Sequence, residues 1–290
     1  MTSLPAPLRF ALLCGLSLLV EWRPLAATFS LAVSREEYTH ILLIIPICAA
    51  LMFLDRQVFK FAATSGSLWG VAFCLLAASI AALAKWASGV QPDEQLALAM
   101  LALVVWVAGA FILCFGFSAA RAFLFPLGFL LWLVPFPDFV LARVVAFLQQ
   151  WSAFSAQALF SAVGIPVSQD GFFLTIPGLT LEVAKECSSI RSSLMLVVTT
   201  MVLAQLELRS FWRKLLIVAL AVPLSVAKNG FRIFVIGMLG TKVDPAYLTG
   251  RLHHHGGVVF LLIALGIVFL LLWVLRKGEQ RPMSLSSAQH

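Results

Sequence analysis

One cysteine in this chain has surroundings that suit a nucleophile. Cys187 lies in a polar segment, residues 185–193, directly before the apolar run 194–206. Arg191 follows it by four residues, so a helix that begins here carries the thiol and the guanidinium on one face. A helix N-terminus beside a cation favours the thiolate, which is the nucleophilic form. The remaining cysteines lie in apolar runs and are predicted to be packing residues: Cys14, Cys48, Cys74 and Cys114.

Two later segments carry the other candidate groups. Asn229 and Arg232 are three residues apart, hence on one helix face, inside a long apolar run. An arginine at the centre of a membrane helix costs at least about 2.5 kcal/mol and is a functional candidate by default. Three consecutive histidines precede the last apolar run: His253, His254 and His255. A thiol, an arginine and a histidine together permit acyl transfer from a peptide, because the thiolate attacks the carbonyl, histidine moves protons and arginine binds the oxyanion.

Each of these residues also has a structural interpretation. A cysteine at a helix start can be a small packing residue, and Arg232 can extend its guanidinium to lipid headgroups. The histidines can bind a metal, although consecutive helical residues point about 100° apart and cannot all face one ion. We therefore expect no metal and no cofactor. The cysteine spacing shows neither a CxxC pair nor a secreted scaffold, so we also expect no zinc site and no structural disulfide.

Composition identifies the environment that must position these residues. Hydrophobic residues make up 61% of the chain and charged residues 11%, with a mean hydropathy of +1.00. Soluble domains are about half apolar and about a quarter charged, so this is a helical integral membrane protein. A barrel would need alternating strands of about ten residues, which are absent. The net charge of +7 indicates topology and headgroup contact rather than nucleic-acid binding.

Apolar runs predict about eight transmembrane helices in a single polytopic domain, residues 1–290. A span needs about 20 residues, and the predicted spans are 6–21, 38–54, 67–84, 96–116, 122–137, 190–206, 215–239 and 257–275. We interpret the first as a retained helix, since Glu21-Trp22-Arg23 follows it instead of a small-residue cleavage site.

Two further segments are predicted outside the hydrocarbon core. Residues 141–164 alternate an aromatic face with a glutamine-bearing face that includes Gln149, which predicts an interfacial amphipathic helix. Residues 165–189 combine Pro and Gly with alternating Phe172, Leu174 and Ile176, which predicts a short extracytoplasmic hairpin loop.

Basic residues set the predicted orientation. The connector 209–214 and the tail 276–290 carry clustered Arg and Lys and should be cytoplasmic. Eight spans then leave both termini inside. The outer side receives the start of the sixth span, the end of the seventh and the start of the eighth, where Cys187, Arg232 and His253 lie.

These segments together resemble the exosortase/archaeosortase family. The resemblance covers most of residues 36–270, in order. It rests on Cys187-Ser188-Ser189-Ile190-Arg191-Ser192, Asn229-Gly230-Phe231-Arg232, His253 four residues before Gly257, Glu37-Tyr38-Thr39-His40, Val134-Pro135-Phe136-Pro137, Gly164-Ile165-Pro166-Val167 and Leu181-Glu182-Val183-Ala184.

The resemblance implies a membrane cysteine transpeptidase or protease in the cell (inner) membrane, with its active site on the extracytoplasmic side. Its substrates would be exported proteins bearing a C-terminal sorting signal, its surroundings membrane lipid, and its acceptor water, an amine or a lipid-linked group. By resemblance, Cys187 is the nucleophile, Arg232 the catalytic arginine and His253 the catalytic histidine. Supporting roles fall to Arg191, Asn229, His255, His254, Ser188, Tyr38 and His40.

Some alternatives stay open from the sequence. Tyr38 and His40 either line the site or cap the second span. A transporter would use Arg232 and a glycine-rich eighth span along a substrate path, but its midplane site and inverted repeats are not evident. A non-catalytic assembly factor would tolerate loss of the thiol.

Overall fold

The protein is an integral membrane protein built mainly of helices. The structure, a computed structural model, describes residues 4–56, 68–86, 89–183, 190–244, 246 and 257–280. In these ranges, seven helices are long and apolar enough to cross a membrane, and a bent pair at the N-terminus raises the number to eight. The predicted fold class is therefore confirmed. The chain divides into two compact units, Met1–Leu141 and Ala142–His290.

Among its described residues, the first unit contains six complete helices and two complete 3-10 turns. The helices are α1 (Ala6–Val20), α2 (Trp22–Ser34), α3 (Ile41–Leu54), α4 (Leu68–Trp86), α5 (Pro92–Ala122) and α6 (Leu124–Phe129). The turns are Glu36–Tyr38 and Leu130–Leu133.

Helix α5 forms the centre of this unit, because α1 and α4 both pack against it. Glycines allow α4 to approach closely: a Cβ added at Gly70 would lie 2.7 Å from the backbone nitrogen of Leu113. Buried phenylalanines fill the core beside it, and the ring of Phe111 contacts those of Phe115 and Phe123 at 4.8 and 5.6 Å.

The first unit differs from the sequence prediction at two places. Helix α2 was not predicted, and it meets α1 at an angle of 76°. The predicted fifth span, 122–137, is not one helix: the six-residue α6 is followed by a 3-10 turn and by extended backbone at Val134. Three prolines explain the break, since Pro126 opens α6, and Pro135 and Pro137 cannot continue a helix.

Within the ranges that the structure describes, the second unit contains most of α7 (Asp138–Ala162), a small sheet and three further helices. The sheet has strands β1 (Ser168–Asp170), β2 (Phe173–Ile176) and β3 (Leu179–Glu182), paired antiparallel in that order. The helices are α8 (Ile190–Glu207), α9 (Phe211–Lys242) and α10 (Gly257–Gln280).

The predicted hairpin is confirmed and carries one strand more than a simple hairpin. In its register, Leu174 lies opposite Gln169 on one side and Leu181 on the other. Leu174 is fully buried and packs, with Val183, against Ala153 and Ala156 of α7. The sheet is therefore attached to α7 through its apolar side chains.

Helix α7 has two different faces, as the pattern predicted, but Gln149 and Phe160 were assigned to the wrong ones, since both are buried. Phe147, Trp151 and Phe154 are exposed, whereas Gln149 is buried. The buried amide is stable there because its Nε2 donates to the Val183 carbonyl at 2.7 Å. At 25 residues, α7 is also long enough to span a bilayer.

Helices α8, α9 and α10 form one apolar cluster, and polar side chains join them at one end. Leu196, Ile217, Ala264 and Val268 are among the buried residues that join them. At that end, the connector between α8 and α9 forms hydrogen bonds with the last turns of α10. The carboxylate of Glu279 accepts from the backbone nitrogens of Arg209 and Ser210, both at 2.9 Å. Arg213 donates to the Leu275 and Gly278 carbonyls at 2.7 and 3.2 Å, and Arg276 pairs with Glu207.

Candidate functional site

In the second unit, the starts of α8 and α10 lie beside the same part of α9. Lys228 of α9 donates its amine to the hydroxyl of Ser192, in the first turn of α8. One turn on, the ring of Phe231 meets that of Phe260, near the start of α10, at 5.9 Å. Within the described residues, the starts of α8 and α10 therefore lie beside α9 at Lys228 and Phe231, which precede the end of α9 at Lys242 by 14 and 11 residues.

A buried polar cluster occupies this level. Lys228, Asn229 and Arg232 of α9 are 7%, 1% and 7% exposed, and Ser193, which follows Ser192 in α8, is also buried. The spacing places the three α9 residues on one helix face. From Arg213 at the basic end, Lys228 and Arg232 are 15 and 19 residues along the helix. At about 1.5 Å per residue, the separation is about 23 to 29 Å, close to the thickness of a bilayer's hydrocarbon core.

Asn229 is the least satisfied member of this cluster. Neither its Nδ2 nor its Oδ1 has a hydrogen-bond partner within the described ranges, and both atoms are buried. Buried amides in folded proteins are almost always hydrogen-bonded. The side chain therefore offers one donor group and one acceptor for a group that approaches this face of α9.

The bond between Lys228 and Ser192 was not predicted from the sequence. Lys228 is not among the residues singled out from the sequence, yet its spacing of four from Arg232 is a usable signal, since it puts two cations on one helix face. Two cations one turn apart make this buried face electropositive. Such a face stabilises negative charge that develops on a bound group.

The small sheet fixes the position of the chain directly before the segment that carries Cys187. Val183, the last described residue before that segment, packs with Ile233 of α9. Its carbonyl accepts from Gln149 and its nitrogen donates to the Phe172 carbonyl at 2.9 Å. Gln149 is thus a positioning residue that the sequence did not reveal, because a glutamine on a helix gives no sign of burial.

Helix α7 reaches α9 closely at Gly230, between Asn229 and Arg232. A Cβ added at Gly230 would lie 2.5 Å from the Cβ of Ser155 and 3.1 Å from the backbone nitrogen of Ala156. A second glycine, Gly237, lies about two turns on and would meet the Phe160 ring at 2.8 Å. The two helices can approach each other this closely only because α9 carries glycine at these positions.

The predicted site residues divide into three groups. Asn229 and Arg232 lie in the buried cluster, and Arg191 is exposed in the first turn of α8. Tyr38 and His40 belong to the first unit. The remaining predictions fall outside the described residues: Cys187, Ser188, His253, His254 and His255.

Tyr38 and His40 have partners within the first unit. The hydroxyl of Tyr38 donates to the Phe136 carbonyl at 2.9 Å. The Nδ1 of His40 hydrogen-bonds with the Glu37 carbonyl at 3.1 Å, and its ring meets that of Trp132 edge-on at 5.7 Å. Both side chains are buried. These contacts favour the interpretation that they fix the start of α3.

The four described cysteines are free thiols, as the packing prediction expected. Cys48 and Cys114 are buried, and the Cys48 sulfur lies 3.4 Å from the Pro126 carbonyl oxygen. Within the same ranges, no group of three or more His, Cys, Asp or Glu side chains could hold a metal ion.

Comparison with known protein families gives one match. The model of the family described as Transmembrane exosortase (Exosortase_EpsH) matches residues 32–270. That range includes the polar cluster of α8 and α9, the small sheet and every predicted site residue. Comparisons with curated proteins and with solved structures give no match.

Proposed function

Because the chain belongs to the transmembrane exosortase family, we propose that it is a cysteine transpeptidase or protease that cleaves a C-terminal sorting signal from exported proteins. The reaction proceeds through an acyl-enzyme on Cys187. Its site lies at the outer membrane–water interface of the cell (inner) membrane. The acceptor that resolves the acyl-enzyme is water, an amine or a lipid-linked group.

The observation that carries this proposal is the buried polar cluster on α9. Lys228, Asn229 and Arg232 are buried in a membrane helix at the level where α8 and α10 begin. Burying two cations in a membrane helix costs several kcal/mol, so a structural role alone is a poor explanation. A transporter would need such groups near the bilayer midplane, whereas these lie about 23 to 29 Å from the basic end.

Chain connectivity supports Cys187 as the nucleophile at this cluster. Cys187 precedes Ile190, the first residue of α8, by three residues, and the backbone advances at most about 3.6 Å per residue. The Cα of Cys187 is therefore proposed to lie within about 11 Å of the start of α8, where Ser192 contacts Lys228. The N-terminus of α8 favours negative charge there.

The proposed chemistry divides the cleavage into two steps. The Cys187 thiolate attacks the scissile carbonyl carbon, and the carbonyl oxygen takes up negative charge that the Arg232 guanidinium stabilises. The carbon–nitrogen bond then breaks, the leaving amine takes a proton from His253, and a thioester remains. In the second step the acceptor gives its proton to His253, attacks the thioester and releases the thiolate.

The neighbouring residues are proposed to support these groups. Asn229 hydrogen-bonds the substrate backbone, which offers one donor and one acceptor to match the amide. Lys228 holds Ser192 and adds positive charge beside Arg232. Arg191 and Ser188 fix the cysteine segment, and His254 and His255 flank the catalytic histidine.

Substitution of the nucleophile tests the proposal. Cys187→Ala should abolish processing of a co-expressed exported protein that bears a cognate sorting signal, while the variant still inserts into the membrane. Cys187→Ser should be almost as poor, since a hydroxyl is far less acidic than a thiol. Cys74→Ala is the matched control, because it removes a thiol that lies in α4 of the other unit. Unchanged processing by the Cys187→Ala variant would refute the proposal that the protein is a cysteine enzyme.

The other two catalytic assignments need separate variants. Arg232→Lys keeps the charge but loses the planar fork of donors, and a lost oxyanion donor costs roughly 10²- to 10³-fold in rate. His253→Ala should be similarly impaired, whereas His254→Ala and His255→Ala should keep most activity. An inactive His255→Ala with an active His253→Ala would move the assignment within the histidines and leave the cysteine mechanism standing.

A further inference from the structure

A groove in the first unit ends at an ion pair whose carboxylate is buried. It has a volume of about 370 Å³ and runs between α1 and α4, with α5 as its floor. Leu16 and Val20 of α1 and Ala78 and Ala82 of α4 form its walls. Alanines on α4 leave the space that larger side chains would fill. Because Leu16 and Val20 are exposed, the groove opens sideways, towards the lipid around a membrane helix.

One end of this groove is closed by an ion pair. The Lys85 amine lies 3.0 Å from Oε1 of Glu21, the residue at the bend between α1 and α2. The Glu21 side chain is 9% exposed, and its Oε2 is buried with no hydrogen-bond partner among the described residues. Lys85, by contrast, is 52% exposed. The pair thus retains an unused acceptor on the buried side and unused donors on the open side.

Exposed tryptophans place this end at the level of lipid headgroups. Trp22 follows Glu21 and is 58% exposed, and Trp86 follows Lys85 and is 83% exposed. Tryptophan is enriched at membrane–water interfaces, where its ring is apolar and its N–H is polar. An apolar groove that meets charged groups beside interfacial tryptophans has the layout of a lipid, with acyl chains below and a headgroup above.

We propose that this groove binds a phospholipid whose headgroup ends in a primary ammonium, such as phosphatidylethanolamine. One acyl chain lies along Ala78 and Ala82, the phosphate accepts from Lys85, and the ammonium donates to Oε2 of Glu21. The two headgroup charges then face the opposite charges of the ion pair. A choline headgroup has no N–H to donate, and a glycerol headgroup brings no positive charge to the buried carboxylate.

Competition between lipids tests the proposal on the full chain. The purified protein is incubated in detergent with equal amounts of phosphatidylethanolamine, phosphatidylcholine and phosphatidylglycerol that carry the same acyl chains. Native mass spectrometry then measures which lipid stays bound. A charge-assisted hydrogen bond predicts about a tenfold preference for phosphatidylethanolamine over phosphatidylcholine. Equal retention of these two lipids, or retention of none, would overturn the proposal without any variant.

Matched variants then assign the preference to the groove. Glu21→Gln should abolish the preference, while Glu207→Gln should keep it, because both remove a carboxylate from an ion pair and only Glu21 lines the groove. Ala82→Phe should reduce retention of all three lipids by filling the groove. A preference for phosphatidylglycerol that Glu21→Gln leaves unchanged would mean that only Lys85 contacts the headgroup, which contradicts the proposed ammonium site.

Discussion

Gly230→Ala tests whether the close approach of α7 and α9 positions the polar cluster. The added Cβ would lie 2.5 Å from the Cβ of Ser155, whereas ordinary contacts begin at 3.4 Å, so the two helices must separate by about 1 Å. Overpacking of this kind costs about 1 to 3 kcal/mol. Alanine returns up to about 1 kcal/mol through its better helix propensity. With the full gain from alanine the net loss is up to about 2 kcal/mol, or a fall in Tm of up to about 8 °C.

Function should suffer more than stability in this variant. Gly230 lies between Asn229 and Arg232, so a shift of α9 by about 1 Å moves both side chains. A displacement of that size in a catalytic constellation can cost about 10²-fold in rate. Thermal unfolding in detergent, followed by intrinsic fluorescence, gives the stability. Processing of a sorting-signal substrate in membranes gives the rate.

The chain offers a control and a rescue for this experiment. Gly266→Ala in α10 makes the same chemical change where nothing lies within 4 Å, so Tm should stay the same or rise slightly. Ser155→Gly removes the side chain that the new Cβ meets, although glycine itself destabilises α7 by up to about 1 kcal/mol. Gly230→Ala should therefore lower Tm less in the Ser155→Gly background than in the parent chain. If Gly230→Ala unfolds like Gly266→Ala, or if it lowers Tm equally in both backgrounds, the packing argument is wrong.

Three further experiments probe the same unit. Lys228→Met should lower the rate of processing at least tenfold by removing the cation that holds Ser192, while Lys228→Arg should keep part of it; equal activity of both would exclude a role for the charge. Gln149→Leu should lower stability by about 1 to 3 kcal/mol, measured by thermal unfolding, because the buried Val183 carbonyl loses its donor. In a background without native cysteines, a cysteine at position 210 should resist an impermeant maleimide applied to intact cells, and labelling there would reverse the proposed topology.

Sequence patterning predicted those parts of the fold that depend on hydropathy and alternation. Long apolar runs became α8, α9 and α10, and each bound lies within five residues of the prediction. Alternating apolar residues became the sheet around Leu174. These features depend only on the polarity of each residue, which can be read from the sequence alone.

The parts that were missed depend on specific partners. Helix α2 has too mixed a composition to read as a span, and the run 122–137 is apolar although prolines divide it. Nothing in the sequence distinguishes Gln149 from an exposed glutamine. Its hydrogen bond to the Val183 carbonyl, which makes burial favourable, is visible only in the fold. Lys228 likewise acquires its place through Ser192, 36 residues earlier. Pairings across such distances leave no local mark in the sequence.

The two ends of the α8–α10 group differ in what fixes them, and this difference explains how the cluster is held. At the basic end, Glu279 and Arg213 bind backbone atoms of the neighbouring segments, so the bonds set helix positions rather than side-chain positions alone. A helix turns by about 100° per residue, and its rise of about 1.5 Å per residue carries that register to the far end. Lys228 and Arg232 therefore face inward because the register is set about 23 to 29 Å away. The Asn229 amide is then not needed to hold the helices together, which leaves it available to the substrate of the proposed reaction.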